Sequence, residues 1–373
     1  MGDVRDHDDA EVAMTVSRSP LRVHMTGSEW FGSAPGGLNR YFTDLYAALA
    51  AHPDARVSAA AFGAAPEGAT SWGPTGGSTL RRARTAYLDR DRSEPAILDR
   101  HFALYGPRPR GEQALVVHFH GPWAAESQAA GAGPLAVRAK FAVERMRAAG
   151  ARRFVVLSEH FRDLLVERYG VRPEAVRVVP PGVDLERFRP RAPERAAEGP
   201  VVLCVRRLEH RMGIDVLLRG WPSVVAARPD AELVIVGTGT AEAHLRELAR
   251  TCADTVTFAG HTTDEHLTEL YARAHCTVVP SLTLEGFGLI ALESLASGRA
   301  PIVTDCGGLP DSVRALDPSL IVPSGDAEAL AARLITALDG DLPDAERCRM
   351  HAETFSWSAA ADRHIALYRE LIG

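Results

Sequence analysis

Two glutamates eight positions apart, Glu285 and Glu293, stand in the segment PSLTLEGFGLIALESLASGRAPIVTDCGGLP, residues 280–310. A turn made of Gly286, Phe287 and Gly288 separates the first from a helix-like stretch opening at Leu289. Glycine lets backbone approach a ligand closely, and the free N–H groups of a helix start suit a phosphate. One carboxylate therefore falls beside an anion site. The other falls further along the helix, within reach of a ribose diol. A bare pair of glutamates at this spacing is more often two surface residues. The EGFG turn before the helix and the GGLP loop after it favour a nucleotide diphosphate site instead.

Two further segments carry candidate chemistry. In PGGLNRYFTDL, residues 35–45, Gly36 and Gly37 open a loop, and Leu38, Tyr41, Phe42 and Leu45 then share one helix face. In VVHFHGPWAAES, residues 116–127, His118 and His120 sit two apart at the end of a buried strand, hence on one face. Ligands of open α/β sheets bind beyond such strand ends. The competing reading of each is structural: a strand–helix turn without a ligand, and core or capping histidines. The triplet Asp89-Arg90-Asp91 has the form of a metal-chelating pair, but its arginine-rich, helix-like surroundings read as a solvated face. The group Arg81, Arg82, Arg84, Arg90 and Arg92, with Tyr87 and Leu88 between, is likewise expected to be a solvated helix rather than a lipid-headgroup contact.

The elements that must position these residues are short Val-rich runs alternating with amphipathic stretches. LRVHMTG, ALVVHFHG, RFVVLS and VRVVPPG lie in the first half. VVLCVRRL, AELVIVGTG, VTFAG, CTVVPS and APIVTD lie in the second. Runs of this kind read as buried parallel strands followed by turns. Helices are expected near Leu38–Ala51, Ala136–Ala149, Glu159–Tyr169 and Leu289–Ser297. The pattern occurs twice, which predicts two doubly wound α/β domains. The Pro-, Arg- and Glu-rich stretch 187–200 marks the boundary, and 66–77 reads as a surface loop. The expected division is a flexible lead-in (1–19), a first domain (20–190), a second domain (191–353) and a final helix (354–373).

The chain resembles the family-4 retaining glycosyltransferases, often called glycosyl transferases group 1. The likeness rests on the 280–310 segment and on FVVLSEHFRDLLVERYGVRPEAVRVVPPGVDLERFRP. VVLCVRRLEHRMGIDVLLRG, LVIVGTG and FAGHTTDEHLTELYARAHCTVVPS carry it further, so it runs from about Leu21 to the end. It implies a GT-B fold: two Rossmann-like domains facing across a cleft, an N-terminal acceptor domain, a C-terminal nucleotide-sugar donor domain, and a final helix around Trp357–Leu371 crossing back to the first. By resemblance, Glu293 holds the ribose, Glu285 contacts the donor sugar, and backbone N–H groups of Phe287, Gly288 and Leu289 face sugar or phosphate oxygens. Gly36 and Gly37 lie against the donor phosphates, Asn39, Arg40 and His118 are acceptor-side, and His120 sits near the transferred sugar. Arg207 neutralises the diphosphate. The family's lysine five residues later is Met212 here, before Gly213, and Arg211 is expected to supply the missing cation.

The implied reaction is transfer of a hexosyl unit to a hydroxyl acceptor with retention, on the front face of the sugar and without metal or other cofactor. UDP is the expected donor nucleotide, and a small molecule or an envelope glycan the acceptor. The alternatives are a nucleotide-sugar epimerase of the same fold and a binding protein weakened in catalysis by Met212. Composition agrees with a globular protein: 373 residues, 46% hydrophobic, 24% charged. No apolar run is long enough to cross a bilayer. The acidic first residues lack an apolar signal region, and the odd set Cys204, Cys252, Cys276, Cys306 and Cys348 has no CxxC spacing, so reduced thiols and a cytoplasmic setting are expected. The net charge of -6 hides an asymmetry: residues 20–190 hold 23 basic against 17 acidic side chains, and 191–353 hold 15 against 24. The basic first half admits a weak peripheral membrane contact, though arginine-rich usage, with Lys140 the only lysine, explains it equally. No nucleic-acid signature is present.

Overall fold

The computed structural model describes residues 19–89, 94–124, 127, 131–193 and 199–372. The Val-rich runs form two parallel sheets. The first contains β1 (Leu21–Glu29), β2 (Ala55–Phe62), β3 (Thr70–Ser71), β4 (Ile97–Arg100), β5 (Ala114–His118), β6 (Arg153–Val156) and β7 (Val176–Val178), in the order β3-β2-β1-β4-β5-β6-β7. The second contains β8 (Val201–Val205), β9 (Glu232–Val236), β10 (Val256–Gly260), β11 (Cys276–Val279), β12 (Pro301–Thr304) and β13 (Ile321–Val322), in the order β10-β9-β8-β11-β12-β13. In each sheet the order reverses beside its first strand, at β1/β4 and β8/β11. Such a switch leaves a crevice at the carboxyl ends of the strands.

Helices cover both faces, which is why the central strands are apolar throughout. α1 (Gly37–Ala50) buries Tyr41, Phe42, Leu45 and Leu49 against the first sheet, as its 3.6-residue pattern dictates. α2 (Thr79–Tyr87), α3 (Pro134–Ala148) and α4 (Glu159–Tyr169) belong to the same half. The second half adds α5 (Ile214–Ala227), α6 (Glu242–Leu248), α7 (Asp264–Arg273), α8 (Leu289–Ala296), α9 (Ala327–Leu338) and α10 (Ala345–Glu353). α11 (Trp357–Ile372) returns to the first sheet: Tyr368 Oη donates to Asp99 at 2.7 Å, and Arg369 pairs with Asp54 at 2.6 Å. This is the expected two-domain arrangement with its crossover helix. Residues 1–18 of the expected lead-in and 194–198 of the boundary stretch lie outside the described residues.

β4 was not foreseen among the strands. Its sequence, ILDR, carries two charges, yet all four residues are buried. Leu98 and Arg100 face α3, and Asp99 faces α1 and α11. Alternation along the strand thus places two unlike charges on opposite sides of one sheet.

Candidate active site

The second domain builds its part of the site at the end of β11. The chain leaves Pro280, passes Leu284 at φ 58° and enters α8 through Gly288 at φ 88°. A left-handed leucine is an uncommon conformation and collects at functional turns. The GGLP loop holds the turn: Gly308 N donates to Glu285 O at 3.0 Å, and a Cβ on Gly308 would lie 2.1 Å from Gly286 O. Only glycine permits that approach. α8 has no side-chain cap and no acid in its first turn, so its N-terminal amides carry no local carboxylate.

The two glutamates sit in unlike surroundings. Glu285 accepts from Ser281 Oγ at 3.2 Å and from the Arg206 guanidinium. Glu293 is 5% exposed and accepts from Tyr271 Oη at 3.0 Å. Burial pushes its carboxyl up, against the nearby charge of Arg40 and the tyrosine hydrogen bond. Phe287 is buried against Phe355, ring centroids 5.6 Å apart, so it contributes its backbone rather than its ring to the site.

Arg207 is exposed beyond β8. Met212 is buried, and its sulfur accepts from Arg206 Nη2 at 3.0 Å. The same Nη2 reaches Ser281 and Glu285. The charge beside the vacated lysine position is therefore Arg206, the residue before the expected Arg207. Arg211 Nη1 lies 3.5 Å from Leu284 O, on the strained turn.

In the first domain, Gly36 and Gly37 face open space, with no atom within 4 Å of an added Cβ. Two expectations for the neighbouring acceptor side need correction. Asn39 is buried, and its amide donates to Ala34 O at 2.9 Å, so it braces the loop. His118 is buried beneath His120, with Nε2 3.0 Å from Asp99 Oδ1; it belongs to the core, not to the acceptor surface. Both result from the strand and helix periods, which turn these positions inward. Arg40 stacks on Phe31 at 4.2 Å and comes within 4.0 Å of Asp264 in the other domain.

His120 tops a polar stack. Asp99 receives Tyr368 Oη, His101 Nε2 at 3.1 Å and His118 Nε2. The His101 and His118 rings stack at 3.7 Å, and Tyr41 meets His120 edge-on at 4.8 Å. Burial would raise Asp99, but His118 and His101 hold it well below the usual carboxylate range. Burial pushes His118 down to about 4 and His120 well below its ordinary value, so both rings are neutral near pH 7. One nitrogen from each of His101, His118 and His120 falls within 4.8 Å of the others. Asp99, His101, Ser281 and Tyr271 gave no signal in the sequence beyond being polar residues at strand ends or on a helix.

The two halves meet at the glycine turn. A side chain on Gly286 would touch the Phe161 ring at 3.1 Å and the His120 carbonyl oxygen at 3.8 Å. Glu285, His120 and the start of α8 thus share one cleft. Of the Asp89–Asp91 triplet, Asp89 pairs internally with His24 at 2.9 Å; Arg90, Asp91 and Arg92 lie outside the described residues.

The family described as "Glycosyl transferases group 1" matches residues 199–340, and "Glycosyltransferase Family 4" matches 35–187. The chain is similar, at 35% identity over 206 residues, to the GDP-mannose-dependent monoacylated alpha-(1-6)-phosphatidylinositol monomannoside mannosyltransferase of Corynebacterium glutamicum, covering 50% of this chain and 54% of that one. It is 36% identical over 229 residues to the D-inositol 3-phosphate glycosyltransferase of Acidothermus cellulolyticus, covering 56% and 51%. The chain spans about half the length of the curated relatives it matches. Among solved structures, sucrose-phosphate synthase of Thermosynechococcus elongatus superposes with TM-score 0.74 at 24% identity, covering 95% and 99%. Anabaena HepE in complex with UDP superposes with TM-score 0.71 at 15% identity, covering 94% and 100%. These likenesses make the fold GT-B.

Proposed function

The chain belongs to the group 1, family-4 glycosyltransferases, and from that premise we propose that it moves a hexosyl unit from a nucleotide diphosphate donor to an acceptor hydroxyl, with retention at the anomeric carbon. The observation that carries this reading is the meeting of the Glu285–Gly288 turn with the His120 strand end across the cleft. A donor sugar between them would have the α8 amides and arginines at its diphosphate, and His120 and Glu285 at its hydroxyls. Charge that grows on the departing diphosphate is stabilised by cations and amides already in place. The departing phosphate oxygen then takes the proton of the attacking hydroxyl, so the protein itself need supply no nucleophile. Glu293, neighboured by Tyr271 and Arg40, is the ribose partner in this reading. His120, being neutral, hydrogen-bonds the sugar without placing a like charge beside an oxocarbenium-like centre.

Uridine is our first expectation for the base. GDP-mannose, named for the Corynebacterium relative, stands beside it, so both belong in the assay. The test is a thermal-shift screen of UDP- and GDP-sugars, since a ligand that binds only the native state raises its stability. NMR of the product of the stabilising donor, with inositol phosphate and sugar acceptors, then reads the anomeric configuration. An inverted product would overturn the mechanism. Epimerised donor formed without acceptor would favour the epimerase reading, and binding with no turnover the binding-protein reading.

A further inference from the structure

β4 runs beside β5 with Asp99 opposite Val116, so Asp99 and His118 project from the same face of the first sheet. Asp99 is fully buried, and three donors converge on it: Tyr368 Oη at 2.7 Å, His101 Nε2 at 3.1 Å and His118 Nε2 at 3.0 Å. Against the cost of burial, His118 and His101 hold its carboxyl well below the usual range, so near pH 7 it can only accept. A ring facing that carboxylate carries its proton on Nε2. In the neutral His118 this leaves Nδ1 as an acceptor. That Nδ1 lies 3.5 Å from Tyr41 Oη, the long end of a hydrogen bond. Burial, and then the Asp99 charge, raise the Tyr41 phenol well above its ordinary value, so its proton is there to donate. Stacking on His101 at 3.7 Å and on His364 of α11 at 5.3 Å restrains the His118 ring.

Tyr41 in turn meets His120 edge-on, ring centroids 4.8 Å apart, and Trp357, the first residue of α11, at 5.5 Å. Trp357 is itself wedged against the chain leading to the domain boundary, where a Cβ on Gly182 would lie 2.4 Å from the indole. The other imidazoles beside His120, those of His101 and His118, stand further off, at 5.7 Å. His120 Nε2 is buried and has no hydrogen-bond partner among the described residues. No bond at that atom fixes the ring, so packing must, and Tyr41 is the nearest aromatic ring that packs on it. A buried nitrogen left open is costly unless a ligand completes it.

We propose that Tyr41 and Asp99 are positioning residues for His120. Asp99 sets the tautomer of His118, His118 anchors the Tyr41 hydroxyl, and the anchored Tyr41 ring holds the His120 imidazole with Nε2 left for a hydroxyl of the substrate. The inference rests on the reading of His120 as the residue beside the donor sugar, and deepens it by tying that residue to a carboxylate that touches no substrate. A ring already held in one orientation spares the cost of ordering it when the sugar arrives.

The experiment has two arms. The first is nitrogen–proton correlation NMR of the full chain with labelled histidine and no donor. Parent His118 should show its proton on Nε2. Tyr41→Phe removes one hydroxyl and keeps the ring; it should shift the His118 Nδ1 and the His120 resonances without changing the His118 tautomer. Asp99→Asn offers one acceptor and one donor where three donors converge, and should move the His118 proton to Nδ1. A proton on His118 Nδ1 in the parent, or His120 resonances unmoved by Tyr41→Phe, would overturn the proposal whether or not the chain transfers sugar. Correct tautomers with no turnover on any donor would instead fail the transferase reading, and the positioning role with it. The second arm is a double-mutant cycle in kcat. Each single variant should lose roughly ten- to a hundredfold in kcat, the scale of a misplaced reacting group, and keep its affinity for the nucleoside diphosphate within about twofold. The double variant should be no slower than the slower single, because both residues act through one line. Leu49→Val trims the buried face of the same helix about two turns further on and should lower Tm with kcat unchanged. Losses that multiply in the double variant, or a Tyr41→Phe as fast as Leu49→Val, would overturn the proposal. If Asp99→Asn fails to fold, Tyr41→Phe decides alone, by kcat and by the His120 resonances.

Discussion

Arg206 and Glu285 form an ion pair beside the glycine turn before α8, with Ser281 bonded to both and the Met212 sulfur 3.0 Å from the same guanidinium nitrogen. A lysine at 212 would bring its ammonium to this neighbourhood. The charge beside Met212 is carried six residues upstream, by Arg206 at the end of β8, while Arg211 Nη1 lies 3.5 Å from the Leu284 carbonyl. Arginine's fork can hold a carboxylate and a phosphate oxygen together. Arg206→Ala should therefore lower kcat by about a hundredfold or more, in line with the loss of a preorganised charge. Arg211→Ala should cost less than Arg206→Ala, and Arg206→Ala/Met212→Lys should recover part of the loss. Steady-state kinetics of the three decides the matter: a nearly silent Arg206→Ala would return the role to Arg211.

Glu293 and Glu285 should separate in binding and turnover. Calorimetry of Glu293→Gln with the nucleoside diphosphate should show affinity weakened by roughly 1.5–3 kcal/mol per charged hydrogen bond lost. Burial raises the Glu293 carboxyl, so keeping it ionised at neutral pH costs the fold stability, and Glu293→Gln should melt no lower than the parent. Glu285→Ala should lower kcat more than nucleotide affinity. Unchanged nucleotide binding by Glu293→Gln would remove Glu293 from the ribose.

The alternation of Val-rich runs with amphipathic helices was enough to read two doubly wound domains, because buried parallel strands advertise themselves by composition. The turn before α8 was legible for a similar reason: Gly307 and Gly308 are fixed by close backbone approach and Gly288 by its left-handed conformation, which local sequence records. What stayed hidden depends on pairs distant in sequence. ILDR does not look like a central strand until Asp99 is seen receiving Tyr368, His101 and His118, and Arg100 seen facing α3. Arg206 and Arg207 are adjacent and chemically identical; only the direction of the chain leaving β8 determines which one turns inward.

Turnover should be insensitive to EDTA. In the proposed reading arginines and the α8 amides meet the diphosphate charge, and Asp89, half of the DxD triplet, pairs with His24. The described group with metal-binding spacing, His101, His118 and His120, is already engaged: the Nε2 atoms of His101 and His118 both lie on Asp99. Activity after dialysis against EDTA should match the untreated enzyme, and added manganese or magnesium should change it less than twofold, within ordinary assay scatter rather than the several kcal/mol a Lewis acid contributes. Loss on EDTA treatment with recovery on zinc would place a working metal on those three histidines.

The buried histidines make stability fall on the acid side. Burial pushes His118 and His364 down to about 4, against an ordinary value of 6.5. Below pH 6.5 the unfolded chain takes up protons that the two native rings refuse until about pH 4. Stability that is full above pH 6.5 is thus lost steadily across that window, by about 2 kcal/mol per ring between pH 7 and pH 5. His364 is the cleaner probe. It lies flat against His118 at 5.3 Å, and its Nδ1 donates to Ala360 O at 2.7 Å. His364→Phe removes one titrating ring while keeping an aromatic in the stack. Urea unfolding at pH 7, 6 and 5 should show the variant losing about 2 kcal/mol less than the parent over the interval, whatever its absolute stability. An identical pH dependence in parent and variant would mean that His364 does not remain neutral in the native state, and that the acid sensitivity of the α11 junction lies with Asp99 and its two histidine partners instead.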